Sequence, residues 1–142
     1  MSYAQNWAGL SAARKAGIGF VFLWFFFGSQ IHFFKTSFDL SIMPPYIPHP
    51  LAAVYLSGVL ELIGALGLLF LRTRQLAGTL LFLLTIAVTP VHIYMLQYPE
   101  RFPQVPLWAL WARLVVQALF LACIWWSTVR PVRPVQRLHA PN

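Results

Sequence analysis

Carboxylates are nearly missing from this chain. Of its 142 residues three are Asp or Glu, and Lys, Arg, Asp and Glu together make up 9%. A soluble domain carries roughly 25% charged residues, so a water-facing surface is excluded. Cysteine is almost absent too. The single Cys123 rules out an intrachain disulfide, a CxxC redox pair and a cysteine zinc site. It reads as a small buried hydrophobe inside an apolar run. No motif for haem, flavin, an iron–sulfur cluster or a resident metal is present, so no cofactor is expected from the chain's own motifs. The net charge of +7 reflects ten Lys and Arg residues against three acids, and all of the ten but Arg113 lie outside the apolar runs. They form no patch on a polar fold, which argues against nucleic acid as a partner.

What the chain has is apolar length. Hydrophobic residues are 59% of the total. A bilayer core is about 30 Å thick, and a helix needs about 20 apolar residues to cross it. Four segments qualify, at about 16–34, 51–71, 76–98 and 105–126. The expectation is an all-α fold, an integral membrane four-helix bundle. Residues 1–15 would be a short N-terminal segment, 16–129 the membrane domain and 130–142 a basic tail touching lipid heads. The first run is long for a signal sequence and no small-x-small cleavage site follows it, so it reads as a retained helix.

Positive charge orients the spans. Arg14, Lys15, Arg72, Arg74, Arg130, Arg133 and Arg137 fall on one side of a four-span chain, and Lys35 and Arg101 on the other. Both termini are therefore expected in the cytoplasm of a bacterial cell, with the chain in the inner membrane. Tyr94, Tyr98 and Trp108 at one end of the bundle, and Trp125 and Trp126 at the other, suit interfacial aromatic belts.

The two outer connections are proline-rich. "SIMPPYIPHP" carries Pro44, Pro45, Pro48 and Pro50, and "YPERFPQVP" carries Pro99, Pro103 and Pro106. Proline fixes φ and holds its predecessor extended, so both connections read as stiff straps. Ile42, Met43, Tyr46 and Ile47 are too apolar for a free loop and are expected to face the bundle mouth or the interface. His49 reads as an exposed loop residue and His139 as part of the tail.

Ionisable residues inside the spans are few: Glu61, Arg113, His92 and His32. A charge at the bilayer centre costs about 2.5–3.5 kcal/mol on insertion scales, so such groups face inward and pair. A rise of 1.5 Å per residue puts Glu61 roughly 15 Å, Arg113 roughly 12 Å, His92 roughly 9 Å and His32 roughly 3 Å below the outer ends. Ser57, Gly58, Gly64 and Ala65 flank Glu61 on its helix face, a surface that lets helices approach closely. Gln117 shares a face with Arg113. The expectation is a Glu61–Arg113 pair in the outer half of the bundle, with Gln117, His92, His32 and Tyr46 near it. Packing alone could account for such a network. Its cost in lipid favours a pocket for a small amphipathic ligand, quinone-like or lipid-like. The alternative is a small dimeric, proton-coupled carrier using Glu61 and the histidines.

"SQIHFF", "SIMPPYIPHP", "VYLSGVLELIGALGLLF", "TRQLAG", "PVHIYMLQYPERFP" and "WALWARLVVQALF" together resemble the DoxX family of small bacterial four-helix membrane proteins. Where many relatives carry Asn, this chain has His92. The resemblance implies a role beside a membrane oxidoreductase or in redox stress. It further implies a quinone as a possible ligand, a redox-enzyme subunit as a possible partner and no catalysis by the chain alone.

Overall fold

The computed structural model describes residues 7–131. The expected contacts of Arg133, Arg137 and His139 lie outside the described residues. A 3-10 turn, Trp7–Gly9, leads into α1 (Ala12–Phe34), and a seven-residue helix follows, α2 (Thr36–Ile42). Then come α3 (Pro50–Leu68), α4 (Arg74–Gln97) and α5 (Leu107–Ile124). A second 3-10 turn, Pro99–Arg101, precedes α5, and a π-helical turn, Trp125–Val129, prolongs it. Four of these helices are long and apolar enough to cross a membrane: Ala12–Phe34, Pro50–Leu68, Arg74–Gln97 and Leu107–Val129. All four match expected spans with ends shifted by a few residues.

The helices start and stop for local reasons. Ser11 caps α1, its hydroxyl accepting from the Arg14 N–H at 3.3 Å. Thr36 closes α1 by donating to the His32 carbonyl at 2.8 Å. Proline at the first position opens α3, where the missing N–H would have no partner. His49 before it sits at φ 51°, in the left-handed region that residues with a Cβ seldom occupy. The first connection departs from a plain strap. Its first half is α2, and only Met43–His49 has the extended and turned form that the prolines impose. Ile42, Met43 and Ile47 are half-buried and Pro44 is buried, whereas Tyr46 points outward.

Neighbours in sequence are neighbours in space: α1 packs on α3, α3 on α4 and α4 on α5. At the end of the bundle where Trp7 and Arg130 lie, the terminal end, these contacts are very close. A Cβ on Gly17 would stand 2.9 Å from Ser127 Cβ, and one on Gly67 2.8 Å from Ala77 Cβ. Gly78 lies directly under Thr128. Small residues at such crossings let helix backbones approach in lipid. The π turn presents Ser127 to α1 and Thr128 to α4. Their hydroxyls donate to the carbonyls of Cys123 and Ile124, at 2.7 and 2.6 Å.

Two arginines are tied into this end. Arg14 donates from Nε to the Ser127 carbonyl at 3.0 Å and from Nη2 to the Arg130 carbonyl. Arg74 is 1% exposed. Its Nε donates to the Leu68 carbonyl at 3.1 Å, and its guanidinium lies 4.0 Å from the centre of the Trp7 ring. The neighbouring apolar core runs through Ile18, Val21, Ala65, Leu68, Leu81 and Ile124. Outward, the helices carry large bare side chains, Phe34, Leu76 and Trp108 being 81, 74 and 73% exposed. Such a surface suits hydrocarbon better than water.

Candidate functional site

At the other end, the loop end, α1 and α5 draw apart. They meet through Phe120, whose ring contacts Phe20, Trp24 and Phe25 with centroids 5.8, 5.0 and 5.4 Å away. Beyond Phe120 a cavity of about 380 Å³ opens, bounded by α1, α3, α4 and α5. That lies within the roughly 300–1,000 Å³ of small-molecule sites. Phe120 and Phe25 floor it, and Leu84, Val88 and Val116 give it apolar walls. Its polar groups are Glu61, Thr85, His92, Arg113 and Gln117. Trp24, Trp108 and Val116 line the cavity and are also at least half exposed on the outer surface. The cavity therefore opens sideways, along the α1–α5 seam.

Glu61, His92, Arg113 and Gln117, which the sequence set near one another, line this one space. The pairing differs from expectation. Glu61 and Arg113 make no ion pair; among the described residues, the ion pairs join His32 to Asp39 and to Glu61. His32 Nδ1 stands 2.9 Å from Asp39 Oδ2, and Nε2 stands 3.3 Å from Glu61 Oε1. The cause is α2. This short helix turns back over the end of α1 and carries Asp39 to His32, so the imidazole bridges two carboxylates. Gly28, one turn below His32, leaves room for the second oxygen of Glu61. A Cβ there would meet Oε2 at 3.3 Å. Residue spacing could not reveal Asp39, because proline hid the helix that positions it.

Arg113 and Gln117 stand on α5. Arg113 Nη1 contacts Met95 Sδ at 3.5 Å, a weak acceptor for a guanidinium. Gln117 Nε2 donates to the Thr85 carbonyl at 2.7 Å and to the Thr89 hydroxyl at 3.0 Å, just before Pro90 in α4. It ties α5 to α4 where proline removes a donor from the helix ladder. His92 Nδ1 is buried and has no hydrogen-bond partner among the described residues.

Tyr46 lies outside this set. It is 65% exposed and sets its ring edge-on to Tyr94 at 6.4 Å. Tyr94 in turn accepts from Arg101 Nη1, with Tyr98 and Phe102 packed beside it. Tyr46 thus fastens the first loop to the second and does not line the cavity. Pro44 takes the buried place in this loop and Tyr46 is turned outward, away from the cavity lining where the sequence reading set it. Among the described residues, no group of three His, Cys, Asp or Glu side chains could hold a metal ion.

A family model described as a domain of unknown function, DUF8561, matches residues 21–128. No curated protein and no solved structure matches the chain. The match spans about three quarters of the sequence and includes the whole cavity, and the chain belongs to that family.

Proposed function

We propose that this member of the DUF8561 family is a multi-pass protein of the bacterial inner membrane that binds a small amphipathic molecule in the α1–α5 cavity. The observation that carries this reading is Arg113. Its guanidinium borders a cavity of about 380 Å³, while the one carboxylate of that cavity, Glu61, is bridged to His32. A cation in a membrane interior needs a compensating partner. A carbonyl or anionic head group within reach of Arg113, with His92 and Gln117 beside it, supplies one. The tail leaves along Phe120, Trp24 and Trp108 through the side opening into lipid, and the ligand enters from the bilayer by the same route.

The orientation follows from charge. Arg14, Lys15, Arg72 and Arg130 gather at the terminal end, and Lys35 and Arg101 at the loop end. The termini are then cytoplasmic and the cavity lies in the outer half of the membrane. The resemblance to DoxX proteins supplies the rest of the proposal: a quinone-like or lipid-like occupant, and an accessory role beside a membrane oxidoreductase subunit.

Native mass spectrometry of protein released from bacterial membranes tests the binding reading. The wild type is expected to carry one bound small molecule, and Arg113→Ala to lose most of it while keeping its thermal stability. A wild type that is always empty, or a variant with unchanged occupancy, contradicts the reading.

A further inference from the structure

The two polar sides of the cavity have opposite hydrogen-bonding character. On one side Arg113 is a donor, while the N–H groups of the Gln117 amide are engaged by Thr85 and Thr89. On the other side Glu61 lines the cavity as an acceptor, its Oε1 within reach of His32 and its Oε2 beside Gly28. Both ring nitrogens of His32 stand within hydrogen-bond distance of a carboxylate oxygen, so the imidazole lies between Asp39 from α2 and Glu61 from α3. Across the cavity stand Arg113 from α5 and His92 from α4, and Arg113 makes no ion pair with Glu61.

Resting on the binding reading above, we propose that the occupant's head group both donates and accepts. An O–H or N–H meets the Glu61 carboxylate, and a carbonyl, ether or oxyanion oxygen meets Arg113. The chemical class is a hydroxylated or amino-substituted oxygen-bearing head on a hydrocarbon tail. Glu61 is the specificity-determining contact. His32 and Asp39 are positioning residues that fix the direction of its carboxylate. A head with acceptors alone leaves the Glu61 oxygen facing an apolar or repelling atom. A buried acceptor stripped of its donor is costly, and a site built around a donor discriminates strongly against the analogue lacking it.

Titration calorimetry on the full chain in lipid nanodiscs reads this directly. The probes are 4-decyloxyphenol, which has one O–H donor and one ether acceptor, and its methyl ether, which has acceptors only. The wild type is expected to bind the phenol at least about tenfold tighter than the ether. Glu61→Gln, nearly isosteric, should bring that ratio to within about threefold of unity, and Asp39→Asn should reduce it part of the way. Arg113→Ala should weaken both probes alike. Binding of the ether by each variant also reports that the variant is folded, so the ratio separates positioning from loss of structure. Equal wild-type affinity for the two probes, or a ratio unchanged in Glu61→Gln, overturns the donor–acceptor head and leaves the binding reading standing. Failure of the wild type to bind either probe overturns both.

Discussion

The two ends of the bundle use polar residues in opposite ways. At the terminal end the inward-turned side chains Arg14, Arg74, Ser127 and Thr128 are set against backbone or an aromatic face. Arg14 holds the carbonyls of Ser127 and Arg130, Arg74 holds that of Leu68 beneath Trp7, and Ser127 and Thr128 hold their own helix. Glycines bring the helices into contact and no space remains between them. At the loop end the polar groups are Glu61, His32, Asp39, His92, Arg113 and Gln117, and a cavity separates some of them. Both ends carry the cost of placing charge in an apolar interior. At one end that cost is met in part by the protein's own carbonyls and by the Trp7 ring over Arg74. At the other, a cation and an anion are held apart, which gives a ligand something to bind.

Several substitutions test this contrast. Gly78→Val drives a side chain into Thr128 at the closed end. Overpacking there is expected to cost about 3 kcal/mol and to shift thermal unfolding in detergent by many degrees. Arg113→Ala at the open end should reduce ligand occupancy about tenfold or more, equivalent to about 1.4 kcal/mol, with little change in melting. If it unfolds the protein as Gly78→Val does, the two ends are alike and the contrast fails. Trp7→Ala uncovers the Arg74 guanidinium, and a loss of about 1 kcal/mol is expected from denaturant titration. The smallest effect is expected from Gln117→Leu, which removes one link from α5 to α4. Cycles in membrane helices average about 0.6 kcal/mol, so its melting should barely move while its ligand affinity falls several-fold.

The four-span framework shared by both ends was legible in the sequence. Apolar runs of about 20 residues marked the four spans, and 3.6-residue spacing set Glu61, His92, Arg113 and Gln117 near one another. Which groups touch was not legible. A partner is chosen by fractions of a helical turn, and Glu61 is captured by His32 because α2 brings Asp39 behind that imidazole. Four prolines made the first loop read as extended throughout, although none of them falls within Thr36–Ile42. The burial of Arg74 was not legible either, because it depends on Trp7 folding over the guanidinium from a distant part of the chain.

The most direct measurement is an electron cryo-microscopy map of the protein in native lipid, read at the α1–α5 seam. The account predicts elongated density with its head between Glu61 and Arg113 and its tail passing Trp24 and Trp108 toward the bilayer. A map in which Arg113 lies against the Glu61 carboxylate, with α1 and α5 closed over an empty seam, would contradict it.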